Sequence, residues 1–449
     1  MSRLQMRAVL IAILLCMMDG FDVLVMGFVA PYLAQDWQLS PSEVGYALTA
    51  GVAGMGVGSA FISPLADKIG RRPHINFMLV MITVGMIMTG LAPNMTLLIA
   101  FRFFAGLWIG GLITSLNIIV SEYSSDKRRG TIMGIYGIGL PLGASLGGLA
   151  SNYIISHYNW HGPFFFGAAF SALLLIVSWL WLPESITYLI EKRPKNALEA
   201  YNKIGAQMGQ PPADELPPPA ASGAQRNVAK AIFSGIMAPR TAYMWIAYGL
   251  LTASFYFANT WTGRLIGQAV GDPAAGTRAQ SFVPLGGVLG ALVFAALCVF
   301  LHSRLATAVV MFGGTISFLV FAANFNNVSL GLVLAFAVGV FANGGMAAYF
   351  AVGPHTYPAA VRAGAMGLML GFGRIVSITA PLLSGWLLEA GWKPPSLYSL
   401  YGWLLAVAGV LMILMHLTYR GRSDNPDTPY ASAEDDRIAA QQAAQTQQA

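Results

Sequence analysis

Apolar runs of about twenty residues recur roughly twelve times along this chain, and few folds survive that constraint. A bilayer hydrocarbon core is about 30 Å thick and takes roughly 20 apolar residues in a helix. The runs fall near 8–34, 44–66, 75–93, 96–121, 130–152 and 161–182, then near 239–262, 281–301, 305–322, 329–353, 362–388 and 396–419. They are too long and too uniformly apolar for the alternating strands of a membrane barrel, so helix is the expected state. Charge agrees. Only 10% of residues are Asp, Glu, Lys or Arg, against about a quarter in soluble domains. A soluble globular protein, a disordered chain and a nucleic-acid binder are all excluded. The expectation is an all-α membrane protein with twelve transmembrane helices.

The placement of cations gives an orientation. With both termini in the cytoplasm, twenty of the 25 Lys and Arg lie on the cytoplasmic side. Three lie outside, Arg264, Arg278 and Lys393, and two fall inside spans, Arg102 and Arg374. That is a strong positive-inside bias. It accounts for the net charge of +6 without an acidic partner. The first run is too long for a cleavable signal peptide and is interrupted by Asp19 and Asp22. Cys16 and Cys298 form neither a disulfide framework nor a metal site and read as small hydrophobes.

A polar break near 183–238 separates an N-terminal six-helix bundle (1–182) from a C-terminal one (239–422). The break opens on a short surface helix around 184–205, interrupted at Pro194. Gln210 to Gln225, with five prolines, then reads as an extended linker. Residues 423–449 read as a disordered cytoplasmic tail. Arg129, Met133 and Gly134 recur as Arg362, Met366 and Gly367 at one common offset, each set opening the fifth span of its half. Two parallel six-helix pseudo-repeats are expected, an arrangement found in secondary transporters with midplane binding sites.

Several motifs carry chemistry. Span one contains Asp19-Gly20-Phe21-Asp22. Each carboxylate in an apolar helix costs about 2.5–3.5 kcal/mol on insertion scales. Three positions apart, they lie on one helix face. Desolvation and mutual repulsion favour a protonated form, and the pair titrates as a unit. That suits proton coupling, while the bland alternative is static salt bridging, with Arg102 as a partner. Arg102 precedes Gly106 and Gly110, spaced for close helix packing, and the alternative for it is snorkelling to the outer surface. The stretch Ser63-Pro-Leu-Ala-Asp67-Lys68-Ile-Gly70-Arg71-Arg72 forms a charged cytoplasmic turn after span two. Pro183-Glu184-Ser185 and Tyr188-Leu189 follow span six.

The turn resembles the loop signature of the major facilitator superfamily, G-x-x-x-D-R-x-G-R-R, with Ser63 and Lys68 replacing two of its residues. Asp19 to Asp22 resembles the first-helix D-G-[FY]-D signature of the aromatic acid:proton symporter branch. Ser121-Glu122-Tyr123 and the stretch from Tyr357-Pro358 through Arg362, Gly371, Gly373-Arg374 and Pro381 to Gly385 accompany it. The resemblance covers about residues 8–420. It implies import of benzoate, hydroxybenzoates or related acids with protons. It also implies that Asp19, Asp22 and Arg102 couple the proton and that Asp67, Gly70, Arg71, Arg72, Glu122, Arg129 and Arg362 form the gating loops. One departure stands out: the second-half loop reads His302-Ser303-Arg304 and lacks the usual Asp. Span five has Gly143-Ala144 where the antiporter version has Gly-Pro, which leans toward symport.

Arg374 lies about midway through span eleven, where a buried cation marks a substrate or ion pathway. A carboxylate pairs with such a guanidinium bidentately. Arg374 is therefore the candidate substrate clamp, with Asn343, Tyr256 and Asn259 as further candidates. The rival role for Arg374 is a structural ion pair. The expected partners are a small aromatic carboxylate, a proton and membrane lipid, with no nucleic acid, cofactor or metal. The expected state is a monomer in the inner (plasma) membrane. The alternatives are the same fold carrying an aliphatic acid such as muconate, a sugar porter, or drug efflux. A membrane enzyme or receptor is a further class, but no nucleophile motif, metal spacing or phosphate loop is present.

Overall fold

A computed structural model of the chain describes residues 2–125, 128–218, 228–325, 327–358, 360–422 and Asp427. The tail expected from 423 onward (Asp427 aside), most of the second half of the Pro-rich linker, and Lys127 lie outside the described residues. Among the described residues the regular structure is predominantly α-helical, with a 3-10 turn at Ser63–Leu65. The helices are α1 (Arg3–Asp36), α2 (Pro41–Phe61), α3 (Ala66–Ile69), α4 (Arg71–Gly90), α5 (Met95–Tyr123), α6 (Arg129–His157) and α7 (Gly162–Trp181). Then come α8 (Ile186–Lys192), α9 (Ala197–Met208) and α10 (Val228–Ile232). The remaining long helices are α11 (Met237–Val270), α12 (Pro273–Phe300), α13 (Ser303–Ala323), α14 (Val328–Thr356), α15 (Arg362–Glu389) and α16 (Pro394–Leu417).

Eleven of these helices are long and apolar enough to cross a membrane. The long helix outside that set is α11. Its 34 residues suffice in length, but Arg240, Asn259, Arg264 and Gln268 dilute its apolar character. The surface helix expected around 184–205 is two helices, α8 and α9. The chain between them turns through Arg193 and Asn196, both in the left-handed region at φ 47° and 62°.

Local signals set the helix starts. Ser2 with Gln5, and Ser40 with Glu43, form capping boxes that satisfy the first amide groups of α1 and α2. Pro41 occupies the first turn of α2, where its missing N–H has no partner to lose. Asn94 and Asn327 cap α5 and α14.

The chain forms two compact units. Unit 1 comprises Met1–Ala221, Asn259–Leu285 and Pro381–Gly391; unit 2 comprises Ser222–Ala258, Gly286–Ala380 and Trp392–Ala449. In unit 1, α2 packs on α5, α1 on α6, and α4 on both α5 and α7. These contacts are backbone-close. A Cβ at Gly106 or Gly110 of α5 would fall on the carbonyl of Gly51 or Met55 of α2, and one at Gly143 of α6 would fall on Met17 of α1. Small residues allow this approach, and helix association in lipid depends on it. The C-terminal part of α11 and the N-terminal part of α12 pack here too. Thr277 Oγ1 donates to the Phe28 carbonyl (2.8 Å), and Gly27 faces the Asn259 carbonyl.

In unit 2, α13 packs on α14 and α16. Gly286 and Gly290 of α12 lie against the carbonyls of Phe336 and Val340 of α14, the same device that joins α2 to α5. Phe257 stacks on Tyr401 at 4.3 Å, and Ser254 Oγ donates to the Tyr401 carbonyl. The surface is apolar, with Trp179 64% and Phe300 85% exposed. Several charged side chains lie inside instead, and they define the site.

Candidate functional site

Arg102 of α5 and Asp22 of α1 form an ion pair, Nη1 to Oδ1 at 2.7 Å, each side chain 2% exposed. Nη2 also donates to the Asp22 carbonyl at 2.9 Å. Gly51 of α2 makes room for the guanidinium, since a Cβ there would lie 3.0 Å from Nη2. Phe164 places a ring 5.9 Å from it. Arg102 therefore points inward and does not snorkel. The pair is incompletely satisfied: Asp22 Oδ2 has no donor and Arg102 Nε no acceptor. A buried charge pair with spare bonding capacity can be rearranged by a single proton.

Asp19 is equally buried, 1% exposed, but its surroundings differ. It interacts electrostatically with Cys16 and Tyr136, whose thiol and hydroxyl share a hydrogen bond. Of the two carboxylates on one helix face, Asp22 pairs with Arg102, and Asp19 lies within electrostatic reach of Cys16 and Tyr136. Cys16 is more than a small hydrophobe. Its position three residues before Asp19 was a legible signal for that contact. Tyr136 of α6 had no sequence signal, because it reads as one more aromatic residue in an apolar span.

The loop after α2 is a compact hydrogen-bonded structure. Arg71 pairs with Asp67 at 3.2 Å. Glu184 Oε1 accepts the backbone N–H groups of Arg71 (2.9 Å), Arg72 (3.1 Å) and Ser185 (2.7 Å). Burial nevertheless pushes the Glu184 carboxyl above its ordinary value, against the opposing effect of those donors. Gly70 has φ 97°, and a Cβ there would lie 2.6 Å from Glu184 Oε2. It therefore needs both the left-handed backbone and the absent side chain. The Arg72 guanidinium donates to the Trp179 carbonyl. Glu122 caps α8, accepting from Ser185 Oγ (2.8 Å) and the N–H groups of Ile186 (2.8 Å) and Thr187 (3.3 Å). Tyr123 donates to the Glu184 carbonyl at 2.6 Å. Arg129 and Arg362, matched by the repeat, both bond backwards to a carbonyl, Ser121 and Tyr357 respectively, at 3.3 Å. The role of Glu184 as the hub of this loop was hidden in sequence, where it reads as a helix end.

In unit 2, Arg374 of α15 donates to the Tyr256 hydroxyl of α11 at 3.3 Å. Tyr248 interacts electrostatically with both and lies against Gly373. Two aromatic pairs join α11 to its neighbours: Tyr248 lies beside Tyr349 of α14 at 5.7 Å, and Trp245 stacks on Phe372 of α15 at 6.0 Å. Arg374 and Tyr256 are thus brought together. Asn343 Nδ2 donates back to the Gly339 carbonyl of its own helix at 3.2 Å, packed against Gly287. Asn259 is fully buried in unit 1.

The second-half loop, without its Asp, has a different construction. Arg240 and Arg304 place guanidinium carbons 3.5 and 3.7 Å from the centroid of the single Tyr419 ring. Among the described residues no group of His, Cys, Asp and Glu is arranged to hold a metal. A cavity of about 760 Å³ near Leu91, Pro93, Tyr158 and Phe165 has no Asp, Glu, Lys or Arg in its wall and stands apart from this chemistry.

The family model of the Major Facilitator Superfamily matches residues 10–300. The chain belongs to the major facilitator superfamily. It is a multi-pass protein of the inner (plasma) membrane, a transporter and not an enzyme. It is similar to the 4-hydroxybenzoate transporter PcaK of Pseudomonas putida, 26% identical over 396 residues and covering 88% of each chain. It is also similar to the gallate transporter of Pseudomonas putida, 27% identical and covering 91% of each chain. The benzoate transport protein of Acinetobacter baylyi is 24% identical, covering 96% of this chain and 93% of that one. The fold is that of the xylose transporter XylE from E. coli, solved in a partially occluded inward-open conformation. That likeness has a TM-score of 0.64 at 15% identity and covers 93% of this chain and 98% of XylE.

Proposed function

We propose that this protein imports an aromatic carboxylate of the benzoate or hydroxybenzoate class together with a proton, by alternating access. The observation that carries the reading is Arg374, a cation held at the Tyr256 hydroxyl beside Tyr248. A guanidinium offers a carboxylate two parallel hydrogen bonds, and flanking rings offer the benzene ring apolar faces. The similar transporters named for 4-hydroxybenzoate, gallate and benzoate support the substrate class.

Proton coupling rests on α1. A proton reaching Asp22 removes its charge, weakens its hold on Arg102, and lets α1 and α5 shift against each other. Asp19, beside Cys16 and Tyr136, is the companion proton site. In this reading twelve helices cross the membrane, α11 included, as two six-helix repeats with both termini cytoplasmic. The loop held by Asp67, Gly70, Arg71, Arg72 and Glu122 opens and closes the cytoplasmic side, with Arg129 and Arg362 at the matched helix starts.

Uptake of labelled 4-hydroxybenzoate, gallate and benzoate in cells, with and without a protonophore, tests this. The expected result is accumulation that collapses with the protonophore and is competed by aromatic acids but not by muconate or xylose. Competition by muconate alone would move the substrate class to aliphatic acids. Uptake indifferent to the protonophore would refute symport.

A further inference from the structure

Arg264 sits in the outer part of α11, where the sequence suggested an exposed loop. The helix runs on to Val270 and buries the side chain to 2% exposure. Its bonds are weak for a buried cation. Nη1 reaches the Ser40 carbonyl at 3.4 Å and Nη2 the Leu39 carbonyl at 3.3 Å, both at the long end, while Nε has no acceptor. Among the described residues no carboxylate pairs with it. The nearby Asp272 is committed to the N–H groups of Ala274 and Ala275 and to Arg278. The Trp261 ring lies 5.6 Å away, but two neutral carbonyls and a ring leave the buried charge without a counter-ion, so an anion is the missing partner.

The guanidinium lines a pocket of about 250 Å³ that lies wholly within unit 1. Pro31, Leu39 and Pro273 supply apolar walls, and the amides of Gln35 and Gln268 supply polar contacts. The volume lies just under the roughly 300–1,000 Å³ typical of drug-sized ligands, which suits a single-ring acid. The pocket is built from the end of α1, the end of α11 and the start of α12, the ends opposite the Asp67 loop. In the orientation set by the cations these are the outer ends.

We propose that this pocket is an outer binding subsite for an aromatic monocarboxylate, with Arg264 as the anion-binding residue, distinct from the clamp at Arg374. The carboxylate pairs with the guanidinium, the ring lies on Pro31, Leu39 and Pro273, and a ring hydroxyl meets Gln35 or Gln268. This rests on the substrate class proposed above. Its chemical consequence is a second bound substrate molecule per chain, held independently of the clamp at Arg374.

The test is equilibrium dialysis of labelled 4-hydroxybenzoate against the full-length protein in nanodiscs. Two ligands are expected per wild-type chain, one per chain for Arg264→Gln, and one per chain for Arg374→Gln. Gln268→Glu guards against misfolding. Gln268 is exposed, the change is isosteric, and the added charge repels an anion, so it too should bind one ligand. In uptake it should raise the half-saturating concentration about tenfold. One ligand per wild-type chain, or two retained by both Arg264→Gln and Gln268→Glu, overturns the subsite and leaves the transport reading intact. No carboxylate binding by wild type at any concentration that folded protein tolerates overturns both.

Discussion

Removing one charge from the Asp22–Arg102 pair should have unequal consequences according to which partner is lost. The pair is 2.7 Å long, with both side chains 2% exposed. Breaking a buried pair from one side costs about 3–5 kcal/mol, because the survivor is left uncompensated. Arginine cannot shed its proton, whereas a carboxylate can take one up. Asp22→Asn strands Arg102 as a charge facing a neutral amide and should reach that range. Arg102→Met leaves Asp22 free to bind a proton, which caps its loss below that of Asp22→Asn. The double variant leaves no charge and should be close to wild type.

Thermal unfolding of the purified protein in one detergent measures the order. At about 2–4 °C per kcal/mol for units of this size, Asp22→Asn should melt on the order of 10 °C lower, Arg102→Met less, and the double variant least of all. Uptake supplies the functional half: Asp22→Asn should retain exchange of substrate for substrate and lose protonophore-sensitive accumulation. Equal melting of all four proteins would refute the energetic reasoning. Accumulation by Asp22→Asn that still collapses with a protonophore would refute the role of Asp22 in coupling.

Gly70→Ala should lower melting and abolish uptake, since this positive-φ, extended-ψ backbone costs a side-chain residue about 1–3 kcal/mol and the new Cβ meets Glu184 at 2.6 Å; a variant with wild-type uptake would show that the turn adapts. Arg374→Lys keeps the charge and loses the bidentate fork, so calorimetry should record at least tenfold weaker binding of 4-hydroxybenzoate, and Tyr256→Phe a smaller loss. Glu184 binds its proton more tightly in the folded state, because burial raises it. Its contribution is therefore largest at low pH and falls as pH rises from about 4.3, the ordinary value, through the folded value. Relative to Glu184→Gln, wild-type melting should decline across that window, and parallel melting curves would overturn the assignment.

Hydropathy located the long helices because an apolar run reports its own solvent. It ended the seventh span near 262, whereas α11 runs on to Val270. Arg264 is charged yet only 2% exposed, and hydropathy reads polarity where burial between helices decides. Asp19 and Asp22 stood out as costly within one span. Helix spacing alone puts Cys16 beside Asp19, and the sequence offered Arg102 as a partner for the pair. That Asp22 takes the ion pair with Arg102, eighty positions away, and that Tyr136 joins Asp19 and Cys16, required α1, α5 and α6 to be assembled. Glu184 followed the same rule, since its three amide donors come from two loops more than a hundred residues apart in sequence.

The sequence alone determined that this chain lies in a membrane as helices and which few charges within it need an explanation. Both follow from the energy of placing each residue in hydrocarbon, a property of local composition. Which charges meet was decided only by tertiary structure, because glycine-mediated helix contacts set how closely backbones approach and so which distant side chains share a dry interior. Arg264 is the clearest case: an ordinary outer cation by its position in sequence, a buried guanidinium at the wall of a pocket once α1, α11 and α12 pack.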